Sequence, residues 1–212
     1  MRNILRLYQP LIWGLLLLFG LLAVRMCWHR SFHFAFLAWN IFLAVLPLLF
    51  AHGVRCERRS ARKWLYAACW LLFFPNSAYL FTDMVHLDIR AGVAFWLDLV
   101  LLFGGGLYGI VIGLQSLRIM ESWYGGMLRP RMSTLLTLAL LMLSGYGIYL
   151  GRVERWNSWD IVFNTGDLLN AIAYDIRHPF RSMEVWGLSG IFAAGLGLGY
   201  FALNRRMGSA AG

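Results

Sequence analysis

An all-α membrane protein with about six transmembrane helices is the fold the sequence predicts, and three observations lead there. The residues are 60% hydrophobic and only 14% charged, where a soluble domain carries about a quarter charged residues. Apolar runs recur along all 212 positions, each near the ~17–25 residues that a hydrocarbon layer of about 30 Å selects. The 19 lysines and arginines gather in short connections between those runs. That distribution also argues against nucleic acid as the partner of a chain with net charge +9, because such loops are where topology signals lie.

The spans read as 10–27, 33–51, 64–82, 92–117, 132–151 and 184–204, helical because a helix satisfies its own backbone in lipid. Arg2 and Arg6 precede the first run as they would in a signal peptide. Val24-Arg25-Met26-Cys27-Trp28 offers no small-residue cleavage site, so an uncleaved first helix is expected. Trp28, Trp64, Trp96, Trp123, Trp156 and Trp186 fall near span ends, where amphipathic rings sit at headgroup level.

Orientation follows from the cations. Arg2, Arg6, the 52–63 loop, the 118–131 loop and the tail (Arg205, Arg206) hold 12 of them, and the other side holds 7. The bias predicts cytoplasmic termini in a multi-pass inner-membrane protein. The lipid bilayer is then the first partner. The run Arg55, Arg58, Arg59, Arg62 shares one helical face and either binds anionic lipid headgroups or simply sets topology. Cys27 and Cys56 fall on opposite faces and Cys69 inside a helix, so no internal disulfide, metal or redox spacing is expected.

The third span carries most of the chemistry. Asn76, Tyr79, Asp83, His86 and Arg90 are spaced 3, 4, 3, 4, which places them on one helical stripe. A lipid-facing helix would not carry such a stripe, so it should face the bundle or a wet cleft. Pro75 removes a backbone donor and frees the Leu71 carbonyl, which should open a pocket near Asn76. At ~1.5 Å rise per residue, Asn76 and Asp98 sit at matching depth, about 10 Å below the periplasmic boundary. Asn76 is therefore the expected partner of Asp98.

The fifth span ends in Gly151-Arg152-Val153-Glu154-Arg155-Trp156-Asn157. Arg152 and Arg155, three apart, are expected to face the site together and hold a phosphate or carboxylate, or to neutralise Asp83, Asp98 or Asp160. Residues 167–177 read as a short amphipathic interfacial helix in the last periplasmic loop. Leu168, Leu169, Ile172 and Ile176 form its apolar face; Asp167, Asn170, Tyr174 and Arg177 form the polar one. Small-residue spacing at Gly105, Gly109, Gly113, at Gly147, Gly151 and at Gly195, Gly199 predicts close helix packing, either within the bundle or in a homodimer seam.

The segments Pro75-Asn76-x-x-Tyr79-x-x-Thr82-Asp83-x-x-His86-Leu87 and Gly151-Arg152-x-x-Arg155-x-Asn157-Ser158-Trp159-Asp160 resemble the two signatures of an uncharacterised bacterial integral-membrane family, domain of unknown function 1361. The resemblance implies a multi-span membrane protein and brings no reaction, ligand or cofactor with it.

Three functions remain open. The first is a binding or assembly component, whose periplasmic face takes a protein partner or an anionic ligand through Asn76, Tyr79, Asp98, Arg152, Arg155 and Asn157. An interfacial enzyme acting on an anionic or lipid-linked substrate would use Asp83, His86 and Asp160 as acid, base or metal ligands. However, Asp83-x-x-His86-x-Asp88 is no diagnostic metal spacing, and Asp88 leaves the shared face. A small-solute transporter needs polar groups through the full depth, and the inner half offers only Asn40 near midspan and the hydroxyls of Ser133, Thr134 and Thr137.

Overall fold

The computed structural model describes residues 2–29, 32, 34–87, 92–156 and 160–208, backbone only at 2–7, 29, 93, 161–162 and 204–208. The described residues are helical throughout, joined by turns: α1 (Arg2–His29), α2 (Ala35–Cys56), α3 (Ser60–Thr82), α4 (Val93–Tyr124), α5 (Pro130–Arg152), a four-residue α6 (Asp160–Phe163), α7 (Thr165–Arg177) and α8 (Met183–Gly208). A single 3-10 turn, Asp83–His86, continues α3.

The long helices alternate in direction, which their end-to-end contacts make plain. At one end, the last turns of α1 meet the first of α4 through Arg25 and Asp98. The start of α2 there meets the end of α3 through Asn40 and Asp83, and the end of α5 stacks Tyr146 on Trp186 of α8. At the opposite end, Tyr8 of α1 bonds His52 of α2 at 2.8 Å, Trp64 of α3 meets Trp123 of α4 edge-on, and Tyr124 of α4 bonds Thr137 of α5 at 2.7 Å. The basic connections after α2 and α4 thus share one end, and the polar segments after α3 and α5 share the other.

Five helices are long and apolar enough to cross a membrane: Tyr8–Trp28, Ala35–Cys56, Ala94–Tyr124, Pro130–Arg152 and Met183–Leu203. Their outer faces present large apolar side chains such as Trp13, Leu17, Leu135, Ile191 and Leu198 to the surroundings, a surface that water would not tolerate and lipid accepts. The third predicted span forms as a helix, α3, but falls outside those five. Its first turn holds Arg62 and Lys63, and further along it carries Asn76, Ser77 and Thr82. Its second half, Leu72 to Thr82, is buried or half-buried among α2, α4 and α5, and can there carry polar groups that a lipid-facing helix cannot. α4 outlasts its predicted end at 117 by seven residues, since Met120 and Tyr124 continue its buried face while Glu121 accepts a hydrogen bond from Tyr200 of α8.

Glu57 starts α3. Its carboxylate accepts hydrogen bonds from the backbone N–H groups of Arg59 and Arg58 at 3.0 and 2.8 Å. Those two donors hold its pKa below the usual carboxylate value. Cys27, Cys56 and Cys69 are free, with Cys27 and Cys56 closing helices at opposite ends.

The glycine spacing serves packing inside the chain. A Cβ on Gly109 would lie 2.2 Å from the Ser77 carbonyl oxygen, and one on Gly113 would lie 2.2 Å from Ser77 Oγ. One on Gly147 would lie 2.8 Å from the Pro75 ring, and one on Gly151 would lie 3.0 Å from the Tyr79 ring. These glycines let α4 and α5 approach α3 at backbone distance. Gly195 has nothing within 4 Å, whereas a Cβ on Gly199 would lie 3.1 Å from the Leu114 side chain, so only the second member of that pair carries packing.

Candidate functional site

The end where α3 and α5 finish holds a cavity of about 720 Å³. α3 is its floor, α2 and α5 are its walls, and α7 closes it through Leu168 and Ile172. Most of the lining is apolar: Leu43, Leu71, Leu72, Pro75, Leu143 and Leu150 run along its length. The polar groups Asn40, Asn76, Tyr79, Asp83, His86 and Arg152 gather toward the helix ends. α3 runs on through Pro75 as one unbroken helix, and Pro75 and Asn76 both line the cavity.

The stripe survives because the 3-10 turn keeps its direction. Asp83 closes α3 in a helical conformation and begins the turn that ends at His86. Asn76, Tyr79, Asp83 and His86 therefore all face one cavity. His86 sits at the exposed rim, its ring 4.8 Å from that of Phe36. Arg90, Asp88 and Asn157 lie outside the described residues.

Asp83 is fully buried and both its oxygens are engaged. Arg152 Nη2 donates to Oδ1 at 2.6 Å, and Asn40 Nδ2 donates to Oδ2 at 2.8 Å. Arg152 also donates to Thr82 Oγ1 from Nε at 2.9 Å and from Nη2 at 2.7 Å. The Thr82 hydroxyl in turn donates to the Tyr79 carbonyl at 2.6 Å, and the guanidinium lies 4.4 Å from the Tyr79 ring centroid. An arginine fixed by an ion pair, a hydroxyl and an aromatic face loses little further entropy when it binds something else. Its Nη1 has no hydrogen-bond partner among the described residues.

Several expectations need correction. Asp98 does not pair with Asn76. It is buried and held by Arg25 of α1, which donates from Nε to Oδ1 and from Nη2 to Oδ2, the latter at 3.0 Å, while the guanidinium lies 5.0 Å from the Phe34 ring. A buried carboxylate needs a countercharge more than an amide, and the last turns of α1 supply one at the same depth. Asn76 Nδ2 instead donates to the Phe73 carbonyl at 3.2 Å.

Arg155 does not join Arg152. α5 ends at Arg152, and Arg155 lies beyond it with φ 63°, exposed and outside the cavity lining, so the three-residue helical offset does not apply. Asp160, buried at the start of α6, accepts from Asn164 Nδ2 at 2.6 Å and does not line the cavity. The three acid–base candidates thus do not converge. Among the described residues no three His, Cys, Asp or Glu groups come close enough to share a metal ion, and Asp83 already spends both oxygens on Arg152 and Asn40.

α7 forms over Thr165–Arg177, and its predicted apolar face divides: Leu168 and Ile172 line the cavity, but Leu169 and Ile176 do not. Leu168 and Asp175 are buried, while Leu169 and Ile176 are exposed. Asp175 accepts from the Tyr146 hydroxyl at 2.9 Å and from Ser182 Oγ at 2.8 Å. These bonds pin α7 over the cavity, and the apolar remainder of the helix turns outward.

Sequence reasoning missed Thr82 and the Asp175 latch, and it set Asn40 in the inner half, where the structure instead places it against Asp83. The span boundary already implied this: Asn40 lies seven residues into the span predicted from residue 33, a depth of about 10 Å that matches Asn76 and Asp98.

The family model described as "Protein of unknown function (DUF1361)" matches residues 39–195, and the chain belongs to that family. Every polar residue named above as lining the cavity lies within the matched span. No curated protein and no solved structure matches the chain.

Proposed function

We propose that this DUF1361 member is a six-span inner-membrane protein that binds an anionic amphiphile in the cavity over α3. The supporting observation is the cavity's polarity: apolar along most of its length, and at one end an arginine locked in place by Asp83, Thr82 and Tyr79. A ligand with a hydrocarbon tail and an acceptor-rich head, phosphate or carboxylate, matches that division. Arg152 Nη1, the amides of Asn40 and Asn76 and the rim imidazole of His86 would meet the head, and the leucines of α2, α3 and α5 would meet the tail.

In this reading α3 crosses as the sixth span, sheltered by its neighbours. The cation-rich end faces the cytoplasm, where the 55–63 segment meets anionic headgroups, and the head site opens to the periplasmic side. α7 lies in the interface, its exposed Leu169, Ile176 and neighbouring Phe180 seated in the headgroup region. The site binds and orients; with Asp83 engaged on both oxygens, it is not arranged as a general base.

Native mass spectrometry of the purified protein tests the reading. The wild type should carry a co-purifying anionic lipid. Asn76→Leu and His86→Phe, which touch the cavity without breaking an ion pair, should lower its occupancy about tenfold while leaving the melting temperature within about 2 °C. Unchanged occupancy in both variants would count against the cavity as the binding site.

A further inference from the structure

A tail that entered the cavity from its polar end would run toward the other side of the bundle, and a second cavity lies in that direction. It measures about 330 Å³ and is lined by Trp64, Ala67, Trp70, Met120, Leu136 and Leu140 among others, with no charged side chain in its wall. Leu71 lines both cavities.

The same helix faces continue from one to the other. On α5, Leu136 and Leu140 line the second cavity and Leu143, Gly147 and Leu150 the first. Their spacing of three and four residues keeps them on one face. On α3, Trp64, Ala67, Leu71, Pro75 and Tyr79 follow the same rule across the two linings.

From Asp83 to Trp64 along α3 is ~28 Å at the helical rise, close to the full hydrocarbon thickness of about 30 Å. One leaflet is about half of that. The acyl chains of an ordinary phospholipid held by its head at Arg152 would end within the first cavity. The second cavity, which has no charged group for a head of its own, lies beyond the reach of those chains.

We propose that the two cavities form one tail path and that the ligand is an anionic lipid with one very long chain, a polyprenyl phosphate, which passes Leu71 into the second cavity. The proposal rests on the reading that the first cavity takes an amphiphile head-first at Arg152. The phosphate is the acceptor for Arg152 and the two amides, and the chain length is what the second cavity selects.

The test uses purified full-length protein in detergent and two defined probes with the same head, a farnesyl-length and an undecaprenyl-length polyprenyl phosphate, with dioleoyl phosphatidylglycerol as a third. Titration followed by native mass spectrometry should show the long chain binding about tenfold tighter than the short one, one molecule per protein. Ala67→Phe and Leu140→Trp each fill the second cavity at a distance from the head site. Either should bring that ratio close to one by weakening the long probe alone. Equal affinity for the two lengths in the wild type would overturn the proposal while leaving the amphiphile site standing, and so would two short molecules per chain or a ratio indifferent to both fillings. Phosphatidylglycerol binding as tightly as the long probe would point to an ordinary lipid site. If no probe binds, the amphiphile reading itself fails.

Discussion

Arg152→Leu should destabilise the protein by about 3–5 kcal/mol, because it strands a fully buried carboxylate without its countercharge. Asp83 has no access to solvent, and its remaining donor, Asn40 Nδ2, offers an amide dipole in place of a charge. Thermal unfolding in detergent should show the loss as a large fall in melting temperature. The paired replacement Asp83→Leu with Arg152→Leu removes both charges and should recover most of it, since apolar residues of similar volume often substitute for a buried ion pair at little cost. The double variant should nonetheless bind no anionic lipid. A single variant as stable as the wild type would mean that water reaches Asp83, and that the end of the cavity is open in a way incompatible with a fixed arginine.

Gly109→Ala and Gly145→Ala should each cost about 3 kcal/mol, at the upper end of the range for overpacking. In both cases the added methyl would come within 2.2 Å of a backbone carbonyl oxygen on the neighbouring helix, that of Ser77 for Gly109 and that of Ser189 for Gly145. A side chain could rotate away; a carbonyl in a packed helix cannot. Gly195→Ala is the contrast. Nothing lies within 4 Å of its Cβ position, so the change should be neutral or gain up to about 1 kcal/mol from helix propensity. Melting temperatures of the three variants in one detergent decide the matter. Equal effects at all three sites would show that the glycines do not set helix separation.

Much of this arrangement is written in periodicities, and those are the parts the sequence discloses. Apolar run length is a one-dimensional signal, and the helices at 35–56, 130–152 and 183–208 begin within about two residues of their predicted starts. Their ends run up to five residues further. The stripe from Asn76 to His86 is equally local, needing only that the chain stay helical or nearly so for ten residues. Glycine spacing likewise announces close approach, though only the fold says that Gly109 meets Ser77 and that Gly195 meets nothing.

The misreadings share a different character. Asp98 chose Arg25, which lies 73 positions away, and no spacing rule reaches that far. Arg155 left the site because α5 ended three residues earlier, and a helix terminus sets where a period stops being meaningful. In α7 Asp175 is buried, while Leu169 and Ile176 of the predicted apolar face stay outside. Beside a bilayer, exposed apolar groups carry no penalty and a buried carboxylate with two hydroxyl donors is satisfied. The usual sense of inside and outside is therefore weakened. The second cavity could not be foreseen at all, because it is a gap left between α3, α4 and α5 and not a property of any one of them.

A density map of the protein in lipid nanodiscs, resolved well enough to see side chains, tests the central claim most directly. An elongated density should lie along α3, with its thicker, polar end against Arg152 and its tail among Leu43, Leu72 and Leu143. A cleft filled by α2 closing on α5, or lipid lying there with its head away from Arg152, would contradict it.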